Sequence, residues 1–270
     1  MPVSFIPANG RWRADGYTAL SQLNAQLKSN NLLIQDLQHP KYKERWDDLG
    51  KKHEGRVSAI SKLPNLNFEA QLTALSIGAL LGRHLPSDTV YIVEAATCAQ
   101  SISDQLRSEI PGSWINAGGT GIGWSNGVAL GAKLGLDAIR NSAGKNPKYV
   151  CHIMGDGSYM CGSPASAAWV AAKYKVSILT VVLNNGDWNA PRNSTLLAHP
   201  DGPAAEVSNE DMNISFFPSP RHSGITLAAS GGPGRTLGEG LLARTVAGVR
   251  DFEDTLKEAI RAVEAREDRP

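Results

Sequence analysis

KYVCHIMGDGSYMCGSPASAAWVAAKYKVSILTVVLNNGDW, from Lys148 to Trp188, reads as strand, glycine turn, helix, strand and asparagine turn. Tyr149–Met154 is a short β-rich apolar run that breaks at Gly155-Asp156-Gly157, where a parallel strand would end. Ser163-Pro164 has the form of an N-cap followed by proline at the first helical position, which predicts a helix over Ala165–Lys175. Ser177–Leu183 is a second buried strand by composition, and it stops at Asn184-Asn185-Gly186.

Both strands of such a βαβ unit run the same way, so Asp156 and Asn185 are expected at one carboxyl edge of the sheet. That edge is where open α/β sheets bind ligands. A carboxylate and an amide oxygen together are hard ligands suited to Mg²⁺, and backbone at Gly157 and Ser158 has N–H groups to offer a phosphate.

Outward from this unit, alternation continues on both sides. Thr89–Val93 is expected as a strand ending in Glu94, Gln100–Ser108 as a helix, Trp114–Asn116 as a short strand and Ser125–Arg140 as a helix. Downstream come a strand or loop at Asn213–Phe217, a helix over Gly224–Ala229, a glycine-rich insertion at Gly231–Gly240, a strand at Ala243–Ala247 and an amphipathic helix at Phe252–Ala265. The fold class is therefore α/β: a doubly wound, mostly parallel sheet with helices on both faces. A helical connecting segment precedes it. Met1–Arg13 is linker-like, Asp15–Leu33 and Tyr42–Leu63 are amphipathic, and Asn67 is expected to cap a helix over Phe68–Leu85. The division expected is 1–66 for linker and connecting helices and 67–270 for the α/β domain.

At 270 residues and a formal net charge of +1, the chain is long enough for a proper core and carries no basic concentration, which argues against nucleic acid. Three cysteines without CxxC spacing, no secretory leader and no long apolar run point to a reduced, soluble, non-membrane protein. The expectation is cytoplasmic, with a mitochondrial location also compatible.

Gly118–Gly123 (GGTGIG) invites a dinucleotide reading, but the acid that reading needs after the next strand is missing. A tight strand-to-helix turn, with close packing at Gly127 and Gly131, accounts for it better. His152 falls inside a strand and is expected in the core. His199 and His222 fall in loop-like segments near the site in sequence; each is either substrate-facing or, the better-supported expectation, a surface histidine. Trp188 is either a pocket wall or a packing residue, and Glu94 either a partnered structural acid or a functional one.

GDGSYM, followed by a helix, LTVVLNNGDW and APRNSTLLAHPDG, resembles the signature of thiamine-diphosphate-dependent enzymes of the acetolactate synthase and pyruvate decarboxylase superfamily. It is most similar to the C-terminal diphosphate-binding domain of acetolactate-synthase-like members, over roughly Phe68 to Ala265. That resemblance implies thiamine diphosphate and Mg²⁺ as cofactors. The metal would be held by Asp156, Asn185 and the backbone carbonyl of Asp187. Gly155, Gly157 and Ser158 would form the diphosphate turn, and Thr97 would contact the same group. Ile122 would sit beneath the bent cofactor, and the carbonyl of Thr120 would accept from its aminopyrimidine.

The implied activity is decarboxylation of a 2-oxo acid or carboligation. In this family the activating glutamate lies in a separate pyrimidine-binding domain, which nothing in this chain resembles. Met1–Leu63 looks like the tail of a central domain, and the usual closing strand is missing at the end. The expected partners are thus a small 2-oxo acid and a pyrimidine-domain chain, in a homo- or hetero-oligomer. The alternative is a non-catalytic homologue or truncated subunit with a binding or regulatory role.

Overall fold

The computed structural model describes residues 7, 9–117, 119–143, 149–231 and 242–267. The chain forms two compact units, Met1–Ala59 and Ile60–Pro270. In the first, Asp15 caps α1 (Gly16–Ser29) by accepting from Thr18 N–H, and Asn30 interrupts the helix expected to run to Leu33. The Asn30 side chain takes the Leu32 and Leu33 N–H groups and starts α2 (Asn31–Leu37). An asparagine offering its own acceptor competes with helix continuation, which is the physical reason for the break. Proline then opens α3 (Pro40–Ser61). Among these three helices no residue is buried.

In the second unit the helix expected from Phe68 begins six residues later. Thr73 and Ser76 form a reciprocal capping box at the start of α4 (Ala74–His84), while the Asn67 side chain closes only a turn with Glu69 N–H. The sheet follows, with β1 (Val90–Glu94), α5 (Ala99–Leu106), β2 (Trp114–Ile115), α6 (Ser125–Ser142), β3 (Val150–Gly155), α7 (Asp156–Cys161), α8 (Pro164–Lys173) and β4 (Leu179–Leu183). Its order is β2-β1-β3-β4, and every pair is parallel.

Period-two alternation explains why both faces are covered. Tyr91, Val93, Cys151 and Ile153 point to one face and pack with Leu80 and Leu81 of α4, Ile102 of α5 and Phe252 and Leu256 of α11 (Val249–Glu267). Val90, Ile92 and Val150 point to the other, against Ala129 of α6. The doubly wound α/β class is thus what the chain adopts. The strand order reverses between β1 and β3, which makes the carboxyl ends of those two strands the crevice of the sheet.

Three further expectations need correction. Ser163 does not cap α8 with its side chain; it takes a left-handed conformation after α7, leaving Pro164 alone to open the helix. The Gly-Asp-Gly turn is the start of α7 rather than a turn. Ala243–Ala247 forms no strand of the sheet, because at its end Ala247 and Val249 pair with Leu72 and Ala70 instead. Asn213–Phe217, expected as strand or loop, is a loop in which Ser215 makes an isolated bridge to Asp187. Residues 232–240 of the glycine-rich insertion lie outside the described residues.

His152 is a core histidine, 2% exposed, with Nε2 at 2.8 Å from Ser125 Oγ at the start of α6. Burial pushes its pKa down from 6.5 to about 4. Below about pH 6.5 the unfolded chain takes up a proton that the folded chain refuses. The stability tied to the neutral ring is therefore complete above that pH and is lost as pH falls toward about 4, by roughly 2 to 3 kcal/mol. Urea unfolding near neutrality and near pH 4.5 should show this extra loss in the native chain, and His152→Gln should remove it.

Candidate functional site

The site is built on the two strand ends that the crevice exposes. Gly155 ends β3 in register with Leu183 of β4, so the residues that follow, Asp156 and Asn184-Asn185-Gly186, leave the sheet side by side. Asp156 is 3% exposed and occupies the first turn of α7, where a negative charge meets the positive end of the helix. Its Oδ1 accepts from Gly157 N–H at 2.9 Å and its Oδ2 from Gly186 N–H at 2.8 Å. Each such bond to a charged acceptor contributes about 1.5–3 kcal/mol, enough to hold a carboxylate in a buried place.

The asparagine turn is shaped by its own side chains. Asn184 Oδ1 accepts from Gly186 N–H at 3.2 Å and Asn185 Oδ1 from Asp187 N–H at 3.1 Å, while Gly186 takes a φ of 81° that glycine adopts without strain. Beyond the turn the chain is braced by a short antiparallel pairing: Trp188 N–H donates to Ile214 O and Phe216 N–H to Gly186 O, each at 2.7 Å. The Trp188 ring lies on Phe216, 5.0 Å between centroids, and over Gly157, where a Cβ would meet it at 2.5 Å. Position 157 therefore has room for glycine only. The segment Asn189–Ala198, left without secondary structure by sequence reading, is helix α9.

Glu94, at the end of β1, is a partnered structural acid. Its two carboxylate oxygens accept from Gly123 N–H and Ser125 N–H, closing the start of α6, whose N-cap residue Trp124 makes no side-chain cap bond. Ser158 Oγ donates to the Glu94 carbonyl at 3.2 Å and links α7 to the same strand end. The close packing expected at Gly127 and Gly131 is found elsewhere: both face open space. Gly123, at φ 91°, instead approaches Gly162, where a Cβ would meet Gly162 Cα at 2.6 Å. Asn126 Nδ2 donates to Gly162 O at 2.9 Å across the same contact.

A cavity of about 800 Å³ opens over this edge, within the size range of cofactor pockets. Gly155, Asp156, Gly157, Ser158, Asn185 and Asp187 line it together, as do Thr97 and the 55% exposed Ile122. Thr120 is exposed and lies outside it, and so does His199, at the end of α9. The cavity also includes Tyr159, which sequence reading did not place there, and His222, for which a surface position was favoured over a substrate-facing one. Tyr159 OH donates to His222 O at 2.9 Å and lies 2.8 Å from Thr226 Oγ1, and its ring meets the His222 ring edge-on at 5.2 Å. Burial lowers the His222 pKa and raises that of Tyr159; the Asp156 charge opposes the first shift and the Thr226 bond the second. Tyr159 follows Asp156 by three residues and shares its face of α7, a signal readable only once α7 is known to be a helix.

The fold and this edge define a parallel α/β cofactor domain with an oxygen-rich turn at its switch point. The family model for the thiamine pyrophosphate enzyme C-terminal TPP-binding domain matches residues 95–268, and the chain belongs to that family. Benzoylformate decarboxylase of Pseudomonas aeruginosa is 28% identical over 128 residues, which cover 47% of this chain and 22% of that protein. Two solved structures share the fold. A Mycobacterium smegmatis protein assigned to the thiamin diphosphate-dependent enzymes gives a TM-score of 0.52 at 25% identity, covering 72% of this chain and 30% of that one. The thiamine diphosphate-dependent 4-hydroxybenzoylformate decarboxylase of Rhodococcus jostii RHA1 gives 0.54 at 22% identity, covering 73% and 33%. The chain thus spans a third or less of the length of these relatives.

Two glycine substitutions separate a constrained position from a free one. Gly123→Ala should lower the unfolding free energy by on the order of 2 kcal/mol or more, since it needs both a left-handed φ and space that Gly162 fills. Gly131→Ala, in an open helix interior, should raise it by about 1 kcal/mol. Chemical denaturation of the two variants checks both signs.

Proposed function

We propose that this chain binds thiamine diphosphate with Mg²⁺ as the diphosphate-binding part of a lyase or carboligase acting on a 2-oxo acid. The observation that carries the reading is the buried Asp156 carboxylate clasped to the asparagine turn, which gathers Asp156, Asn185 and Asp187 on one edge of the cavity. Among the described residues no group of three or more His, Cys, Asp or Glu side chains could hold a metal. The donors assembled here are of another kind: one carboxylate, one amide oxygen and the Asp187 carbonyl, which also accepts from Asn189 N–H at 3.0 Å. An all-oxygen set with a single negative charge fits a hard cation that brings its own anionic oxygens, as Mg²⁺ does when it carries a diphosphate.

In this reading Asp156, Asn185 and the Asp187 carbonyl hold the metal, and Gly155, Gly157 and Ser158 form the turn against the diphosphate. Thr97 and Ile122 flank the rest of the cofactor within the cavity, and the Thr120 carbonyl, two residues before Ile122, serves its aminopyrimidine from outside the cavity lining. Thiamine diphosphate, when bound, supplies the carbon nucleophile that adds to the carbonyl of a 2-oxo acid and accepts the electrons left by departing CO₂. The chain's own share is to anchor and orient the diphosphate, with Trp188, braced by Phe216, walling the cavity beside the metal turn. The activating glutamate comes from a pyrimidine-binding domain on another chain, in a homo- or hetero-oligomer in the cytoplasm. Among the described residues no helix is long and apolar enough to cross a membrane. The acetolactate-synthase-like character rests on the GDGSYM and NNGDW motifs. The decarboxylases among the relatives support a 2-oxo acid as the substrate class.

Calorimetric titration of the chain with thiamine diphosphate tests the reading. Binding should require Mg²⁺, disappear on chelation, and weaken at least a hundredfold in Asp156→Ala, which removes both a metal ligand and the clasp. Metal-independent binding, or equal binding by Asp156→Ala, would remove the proposal. Turnover of 2-oxo acids should appear only when a pyrimidine-domain chain is added.

A further inference from the structure

The sheet has two edges, and the chain treats them differently. At one edge β2 is only two residues long, and so short a strand offers little for another to pair with. At the other edge β4 runs five residues as LTVVL, with no proline, charge or glycine to blunt it. Among the described residues it pairs with β3 alone. Successive groups of a strand point to opposite sides, so the N–H and C=O groups of β4 that face away from β3 have no ladder partner. The inner strands β1 and β3 are buried except at their last residue, whereas no residue of β4 is buried and Thr180 is exposed.

Beyond the β4 edge lies a slot. The cavity that opens over the strand ends continues along the whole of β4, from Ser177 to Leu183. On the α6 side of the sheet, α8 and α10 (His222–Ala229) pack on each other and close it. On the other side it is closed by α11, which packs on α4 and turns Thr255, Ala259, Ala262 and Val263 to the cavity. Leu242–Ala247 ties these two helical layers together. Thr245 Oγ1 lies 3.0 Å from Ser223 Oγ of α10, and Arg244 reaches Glu258 of α11 at 3.2 Å. That stretch also lines the cavity, so it forms the outer wall. Among the described residues Ala243, Arg244, Thr245 and Val246 make no backbone hydrogen bond.

The slot therefore lies in the plane of the sheet, with unpaired backbone on both long walls and small apolar side chains above and below. Water would leave the apolar walls wet, and a hydrocarbon ligand would leave the backbone unpaired. An extended polypeptide satisfies both demands at once. The outer wall bars a second sheet and leaves room for a single strand. Charge narrows the occupant further. The acids Glu94, Asp156 and Asp187 stand at the strand ends, and Arg244 is engaged by Glu258, so the length of the slot favours an uncharged segment.

We infer that the slot beside β4 is a docking site for one extended, uncharged segment of a partner polypeptide, which inserts as a strand and pairs with β4 on one side and Ala243–Ala247 on the other. The inference concerns the flank of the sheet and does not depend on the cofactor reading.

The test titrates the whole chain with an acetylated, amidated peptide of seven residues that alternate valine and threonine. Binding should saturate at one peptide per chain. In the chain alone, alternate amides of Leu179–Leu183 should exchange with solvent quickly, and the peptide should slow them by at least about tenfold. Two further peptides, N-methylated at the odd or at the even residues, each keep the donors of one edge only. Because the slot needs both edges, each should bind at least about tenfold more weakly. Full binding by either one would show simple addition to a single edge and would overturn the inference. Ala259→Trp fills the slot from α11 and should abolish peptide binding while unfolding at or above the native midpoint. Undiminished binding by that variant would also overturn it. The methylated peptides decide the matter on the native chain even where the variant does not fold. No binding of the first peptide would overturn the inference. So would slow exchange of all five β4 amides in the chain alone, since the chain itself, through residues 232–240 or a second copy, would then fill the slot.

Discussion

The two hydrogen bonds that the Asp156 carboxylate accepts, from Gly157 N–H and Gly186 N–H, are the constraint from which the site follows. A buried carboxylate with no partner would be expensive, and here each oxygen has a backbone donor while the first turn of α7 adds its dipole. The same bonds tie the end of β3 to the turn after β4. They thereby fix where Asn185 and Asp187 stand, although neither residue contacts Asp156 directly in the hydrogen-bond pattern. One side chain accordingly sets the spacing of the whole oxygen edge.

Glu94 repeats the device one strand over. Its carboxylate closes the start of α6 through Gly123 and Ser125, and its carbonyl receives Ser158. Both acids stand at carboxyl ends of neighbouring parallel strands, β1 and β3, on either side of the point where the strand order reverses. Their chemistry differs because of their surroundings. Both line the cavity and both have their two oxygens held by backbone N–H groups, but Glu94 closes the start of α6, whereas Asp156 stands beside two further oxygen donors, Asn185 and Asp187. The close contact of Gly123 with Gly162 joins the two arrangements, so the glycine loop before α6 serves packing. This agrees with the tight strand-to-helix turn preferred over a dinucleotide signature.

Much of this was legible in the sequence, and the misses share a cause. The strands β1, β3 and β4 announce themselves by apolar runs that end at Glu94, Gly155 and Asn184, and the juxtaposition of Asp156 with the asparagine turn follows from parallel topology alone. Helix α7 was hidden because six residues containing glycine read locally as a turn; it exists because Asp156 suits a first turn and Gly155 supplies an extended N-cap. The start of α4 was misplaced because Asn67 and Thr73 are equally good caps in isolation, and only the reciprocal bonds of Thr73 with Ser76 decide between them. Ala243–Ala247 has strand composition, but a strand needs a free neighbour, and its end pairs with the stretch before α4. His222 and Tyr159 meet across 63 residues, a contact that no local pattern encodes.

The central claim, that the clasped turn presents a metal carrying a diphosphate, is tested most directly by replacing Mg²⁺ with Mn²⁺ and following ³¹P relaxation of thiamine diphosphate in the presence of the chain. The account predicts strong relaxation of both phosphorus nuclei, as for oxygens bound directly to the ion, and its loss in Asn185→Ala, which leaves the Asp156 clasp in place. Relaxation no greater than that of the free metal complex, or unchanged by loss of the Asn185 amide, would contradict it.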